Sequence, residues 1–314
     1  MVRTRKQPIE WSDKHYRDMI VEQRKFLWPE DYVEILAKWM GLVQGMTAVD
    51  VGCGLGYLGY TYWPYFGKKG KYIGIDCSEN LLKDAASAAR DWAKGGKTEF
   101  IKADAYKLPL HDDSVDWVMC QTLLMHLKEP ERALGEMIRI LKPGGLIMCK
   151  EPDNLSAVLQ IGFNSYPKMT LDNRLFLMKY NILCCKGSIK LGRGDWGIGA
   201  RVPHMLTQLG MKEIDARQND NVRMLEPPYE SEKQQHQYQM ELKSLTDANV
   251  RALRLKEGRE LFLAGGGTEE EFKRFLRLTR RIRTVVKKQY IEKTYYGLMA
   301  PSFFIIKARK PKIA

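Results

Sequence analysis

The residues that could do chemistry lie where short apolar runs end: Asp50 with Gly52 and Gly54, then Asp76, Asp104, Gln121 and Glu151. Asp50 is followed at once by Gly52-Cys53-Gly54-Leu55-Gly56, after which the apolar spacing turns helical. A strand that stops at glycines and opens a helix leaves backbone N–H groups facing open space. It also lets a ligand come close, because glycine has no Cβ. Several ligands suit such a turn, and an acid about twenty residues on, here Asp76, is also what a nicotinamide site would want. Two features favour a different ligand. Asp50 stands just before the glycines, where it would repel a pyrophosphate but suit a cation, and a third acid, Asp104, follows the next run. Acids at three run ends suit a ligand with a positive centre, a ribose diol and an amino-bearing purine. The turn holds no Lys or Arg, which excludes a Walker-type phosphate loop.

The runs between these positions supply the frame. Residues 13–25 read as a helix in an aromatic patch (Trp11, His15, Tyr16, Phe26, Trp28), and 29–40 as a second helix ended by Gly41. A buried strand leads into the glycine turn, and the helix after it is expected to end at Pro64 and Gly67. Strands are expected at 71–76, 98–103, 115–120 and 146–150. Helices are expected at 79–93, capped by Ser78, and at 131–141, with Lys142-Pro143-Gly144-Gly145 as a tight turn. Five alternations of this kind mean a parallel sheet with helices on both faces, and ligands sit beyond the carboxyl ends of its strands. The acids, scattered in sequence, should therefore line one cleft.

Composition bounds the setting. The chain has 314 residues, 44% hydrophobic and 28% charged, which is globular rather than disordered. Its six cysteines form no CxxC pair and read as reduced thiols, so a cytoplasmic protein is expected. No apolar run is long enough to span a bilayer, and MVRTRKQPIEW lacks the apolar stretch of a signal peptide. A net charge of +13 permits an acidic partner without requiring one. The oligomeric state is not legible.

In order and spacing, VDVGCGLG, GIDCSENLL, KADAYKLPLHDDSVDWV and LKPGGLI resemble the class I, S-adenosylmethionine-dependent methyltransferases, nearest the ubiquinone/menaquinone-biosynthesis and small-molecule group. The resemblance covers roughly 32–151. It implies a doubly wound α/β fold with a seven-stranded, mostly parallel sheet and an antiparallel last strand, for which 211–217 and 302–308 fill the final places. It also implies S-adenosylmethionine as cofactor. Asp50, Gly52, Cys53 and Gly54 would then shape the floor under its methionine part. Asp76, with Cys77 and Ser78 beside it, would take the ribose hydroxyls. Asp104 and the backbone of Ala105 would take the adenine, and Gln121, Thr122 and Leu123 would flank the sulfonium. Taken singly, Asp50 and Asp76 read better as local caps of backbone N–H groups than as ligand contacts; only as an ordered set do they favour the cofactor.

The methyl acceptor is less legible. Glu151 could serve as base or amine anchor, or equally be a plain ribose-side or loop contact, and His126 could orient a substrate or merely begin the next element. Gln-Thr-Leu-Leu after the fourth strand lacks the signature of enzymes that methylate base or glutamine amide nitrogens. That leaves oxygen, carbon, sulfur or amine nitrogen. Asp153-Asn154 resembles the metal pair of catechol-type enzymes, but Gln121 stands where that family wants an aspartate, so no metal is expected. A single domain is expected: a tail and lid helix (1–30), a cofactor-binding core (31–152), helical cap insertions (153–201 and 221–296) and the last two strands (202–220 and 297–310). Tyr16 and Arg24 of the lid would reach the methionine end. The second insertion ends in a helix with a capping box at Thr268 and Glu271 and basic faces from Arg274 to Lys288. That helix reads first as a solvated cover, with an RNA-contacting or membrane-surface face as the sharper alternatives. The expected function is methylation of a small, possibly hydrophobic metabolite. An RNA methyltransferase and a non-catalytic cofactor-binding scaffold are the alternatives.

Overall fold

The computed structural model describes residues 28–94, 96–157, 169–220 and 222–312. The expected lid helix, with Tyr16 and Arg24, lies outside them, as do Phe163, Asn164 and Tyr166 of the first insertion.

The order of elements begins α1 (Glu30–Met40), β1 (Thr47–Val51), α2 (Tyr57–Phe66), β2 (Lys71–Asp76), α3 (Glu79–Trp92), β3 (Lys97–Lys102) and β4 (Val115–Gln121). It continues with a 3-10 turn (Leu124–His126), α4 (Pro130–Ile140), β5 (Leu141–Pro152), α5 (Asn154–Ala157), α6 (Leu171–Lys190), α7 (Val202–Gln208) and β6 (Lys212–Gln218). Then come β7 (Arg223–Leu225), α8 (Glu232–Thr246), α9 (Ala248–Ala264), α10 (Glu269–Ile291), β8 (Gly297–Met299) and β9 (Phe303–Arg309). Seven strands form one sheet in the order β3-β2-β1-β4-β5-β9-β6. β1 to β5 run parallel, and β9 is antiparallel to both β5 and β6. This is the doubly wound α/β sheet with an antiparallel last strand that the sequence implies.

The period of two along each strand divides the core into two layers. On one face Val49, Val51, Val118, Cys120, Ile147 and Cys149 pack against Leu134, Met137 and Ile140 of α4 and Val202 and Leu206 of α7. On the other, Ala48, Tyr72, Trp117, Met119, Met148 and Ile305 pack against Leu36 and Met40 of α1 and Tyr62 and Phe66 of α2. Gly41 closes α1 in the left-handed conformation at φ 69°, and Ser78 caps α3 by accepting from the Leu81 N–H.

Two boundaries differ from expectation. Pro64 lies inside α2, which runs on to Phe66 and gives up one i→i−4 bond at the proline. Lys142-Pro143-Gly144-Gly145 is drawn into β5 because the chain's end returns beside it. The Gly144 N–H donates to the Lys310 carbonyl and the Lys310 N–H to that of Gly145. Lys310 Nζ then donates to the carbonyls of Ile138, Arg139 and Leu141, satisfying the carboxyl end of α4 with a cation.

The remaining helices pack on one another. α6 and α9 approach closely, and Tyr180 stacks on Phe275 of α10 with centroids 3.6 Å apart. Tyr229, Tyr238, Tyr290 and Tyr295 form a second cluster beside the β7–β8 ribbon. The capping box of α10 forms as expected, Thr268 accepting from the Glu271 N–H and Glu271 from the Thr268 N–H. The sequence led to helices in these insertions but not to the bounds of α6 and α9, nor to the ribbon.

Candidate active site

A cleft of about 760 Å³ opens at the carboxyl ends of the central strands. It brings together Gly52, Cys53 and Gly54 after β1, Asp76 and Cys77 after β2, and Asp104 and Ala105 after β3. Gln121, Thr122, Leu123 and His126 follow from the end of β4 and the turn beyond it. Sequence reasoning placed all of these there. It missed Tyr57, Met125, Leu127, Pro152 and Phe303, which also line it, and weighed Asn154 only as half of a metal pair. Of these, Phe303 belongs to the expected last strand, and its alternation with Ile305 could have pointed to it.

The glycine turn is built differently from the open nest its sequence suggests. The N–H groups of Gly52 and Cys53 both donate to the Ile75 carbonyl, at 2.7 and 3.0 Å, and that of Gly56 to Cys53 at 2.8 Å. The Gly54 N–H donates to Asp76 Oδ2 at 2.9 Å. The turn is thus hooked to the end of β2, with four of its N–H groups spent within the protein. Gly54 has φ 53°, and a Cβ there would meet nothing within 4 Å, so the chain is bare toward the cleft. A Cβ on Gly52, at φ 72°, would meet Leu123 Cδ1 at 2.9 Å.

The acids are held by backbone donors. Asp76 accepts from Gly54 through Oδ2 and from the Ser78 N–H through Oδ1 at 2.8 Å. An ionised carboxylate has about four acceptor sites, so both oxygens retain capacity for a ligand. Asp104 Oδ1 accepts from the Tyr106 N–H at 2.9 Å. Burial first, then the Asp50 and Asp76 carboxylates, push the Cys53 thiol well above its ordinary value; burial and Asp76 raise that of Cys77. Both remain thiols. Among the described residues that line the cleft there is no Lys or Arg, so its field favours a cationic centre.

Three expected site residues are corrected. Asp50 is 1% exposed and lies beneath the turn, where its Oδ2 accepts from the Tyr72 hydroxyl at 2.9 Å; it does not line the cleft. Ser78 spends its hydroxyl on the cap of α3 and does not line the cleft either. Glu151 is fully buried on the α4 side of the sheet. Its Oε1 accepts from the N–H groups of Leu123 and Leu124 at 2.9 Å, and its Oε2 from Met125 at 3.3 Å. A carboxylate that gathers three successive backbone donors is a clamp on the turn after β4, not a base facing a substrate. The clamp supports Thr122, which stands at φ 50°, a strained value for a non-glycine residue. Asp153 Oδ1 accepts from the N–H groups of Leu155 and Ser156, capping α5. The segment between Gly192 and Gly197 packs here too: a Cβ on Gly194 would fall 1.9 Å from the Met125 carbonyl.

A family model described as a methyltransferase domain matches residues 42–225, well over half of the chain. The chain belongs to the class I methyltransferases. It is 38% identical over 125 residues to an uncharacterised methyltransferase of Schizosaccharomyces pombe, covering 38% of this chain and 42% of that protein. It is 37% identical over 114 residues to a demethylmenaquinone methyltransferase of Staphylococcus aureus, covering 36% and 46%. The chain thus spans about half the length of the curated relatives it matches. A Bacillus halodurans protein, provisionally described as a methyltransferase, has a crystal structure that superposes with a TM-score of 0.51 at 16% identity. The superposition covers 89% of this chain and 99% of that one, and it shows the shared fold. The cofactor of this methyltransferase domain is S-adenosylmethionine. The residues present fit it: space lies over Gly54, carboxylates close two strand ends, and the buried Gln121 Nε2 has no partner among the described residues. Among the described residues no helix is long and apolar enough to cross a membrane.

Proposed function

We propose that the chain transfers a methyl group from S-adenosylmethionine to a small, largely apolar acceptor. The observation that carries this reading is that one cleft holds the carboxylates of Asp76 and Asp104 at the ends of β2 and β3 together with apolar side chains from beyond β4 and from β5 and β9. At those strand ends Asp76 takes the two ribose hydroxyls, and Asp104 with the Ala105 backbone takes the adenine edge. Gly54 lets the methionine part lie against the chain, with Cys53 and Cys77 as neutral walls. Bound S-adenosylmethionine supplies an electrophilic methyl group on a sulfonium. Leu123, Met125, Leu127, Pro152 and Phe303 give the cleft an apolar surface that excludes water and suits an aromatic or aliphatic acceptor. His126 also lines the cleft and is a titratable side chain that could orient an acceptor or receive its proton. The names of several relatives, demethylmenaquinone methyltransferases, support a quinol-like acceptor as the first to try. Tyr16 and Arg24 remain proposed contacts of the methionine end.

The RNA reading is less well supported. The exposed positions of α10 include Arg277, Arg280, Arg281, Lys287 and Lys288 but no aromatic residue on which a base could stack. The test is incubation with methyl-labelled cofactor and a panel of quinols, phenols, amines, thiols and RNA. Label is expected in a quinol or phenol product. Cofactor binding with no transfer to any acceptor would contradict catalysis and favour a scaffold.

A further inference from the structure

Gln121 and Lys150 face each other across β4 and β5, so their side chains leave the sheet on the same side. Both are buried, and Trp28, itself 6% exposed, lies against them. The indole N–H of Trp28 donates to Gln121 Oε1 at 3.0 Å. Lys150 Nζ sits 3.5 Å from the centroid of the indole, a cation–π contact that fixes the plane of the ring. The indole nitrogen can only donate, so it determines which end of the carboxamide is oxygen and turns the NH2 away from itself. That Nε2 is buried and has no hydrogen-bond partner among the described residues, although Gln121 lines the cleft. A buried donor without a partner is costly, and here the missing partner must be an acceptor oxygen.

We propose that Trp28 is a positioning residue that holds the Gln121 carboxamide as a donor for the α-carboxylate of the bound cofactor. The inference rests on the proposed cofactor site. Sheet order supports it. Asp104, Asp76, Gly54 and Gln121 follow the ends of β3, β2, β1 and β4, which are successive neighbours about 4.8 Å apart. A ligand with its adenine at Asp104 and its ribose at Asp76 therefore meets Gln121 with its amino-acid end. Adenine amino and ribose hydroxyl groups donate, and carboxylates receive them; the α-carboxylate accepts and requires donors. With no Lys or Arg among the described lining residues, an oriented amide is the donor the protein supplies.

Calorimetric titration with S-adenosylhomocysteine and with methylthioadenosine, which lacks the amino-acid part, tests the pairing. Parent, Trp28→Phe, Gln121→Leu and the double variant are compared, with melting temperatures recorded alongside. Each single variant is expected to bind S-adenosylhomocysteine about tenfold or more weakly and methylthioadenosine unchanged. The double variant should be no weaker than Gln121→Leu, because both changes remove one interaction. Should Trp28→Phe fail to fold, Gln121→Glu keeps the acceptor for the indole, removes the donor, and should give the same selective loss. Parent-like affinity in the variants overturns the proposal, as does equal loss for both ligands or losses that multiply in the double variant. A parent protein that binds neither ligand would instead overturn the cofactor site itself.

Discussion

Glu151 shows how a single carboxylate changes meaning once its direction is known. Its place after the fifth strand is where a general base could stand, but along β5 it shares its face with Ile147 and Cys149, which pack on the α4 side. The period of two carried that information, and reading only the strand end discarded it. Three backbone N–H groups depend on this side chain. Glu151→Gln keeps the size, weakens the charge-assisted bonds and turns one amide donor toward N–H groups that need acceptors. The expected cost is about 2 kcal/mol or more of stability, read as a melting temperature lower by several degrees. An unchanged melting temperature with lost turnover would restore the base. The glycine turn carries a similar lesson. Its residue types were legible, but the Ile75 carbonyl that consumes two of its donors lies on another strand and leaves no local mark.

At the scale of elements, the five parallel strands were legible because strands buried on both faces read as short unbroken apolar runs. α6 was not. It buries Phe176, Leu177, Tyr180 and Cys184 on one side while Leu171, Leu175, Ile182 and Ile189 are exposed on the other, so no single apolar stripe marks it. β7 and β8 are three residues each and far apart in sequence, too short for any pattern. The contact of α6 with α9 offers a test. A Cβ on Gly187 would fall 1.8 Å from the Leu261 carbonyl, backbone against backbone. Gly187→Leu should force the helices apart, destabilise the protein by about 2 kcal/mol or more, and raise hydrogen exchange in α6 and α9; unchanged exchange there would refute the packing. A second test concerns α4. Arg139 bonds both oxygens of Glu136 and reaches Asp112 and the carbonyls of Leu108 and Leu110. The bond from Arg139 holds the Glu136 carboxyl below its usual 4.5. A depressed carboxyl stabilises the fold fully above its unfolded value and loses that contribution as pH falls through the folded value. Arg139→Met should therefore lower the melting temperature at pH 7 and flatten its fall below about pH 4.5. A parallel shift of the whole profile would show that the pair is not responsible.

For the whole molecule, the sheet order matters more than any motif. Asp76 and Asp104 are separated in sequence by a helix and a strand, yet the neighbouring strands β2 and β3 bring them to one cleft. The most direct test of that account is calorimetric titration of S-adenosylhomocysteine into the parent, Asp76→Ala and Asp104→Ala. The parent should bind one ligand per chain. Asp76→Ala should bind at least tenfold more weakly, from the loss of charge-assisted bonds worth about 1.5–3 kcal/mol each, and should melt somewhat lower because the Gly54 and Ser78 N–H groups lose their acceptor; Asp104→Ala should also lose affinity while melting near the parent temperature. A parent that binds no ligand, or variants that bind as tightly as the parent, would contradict it.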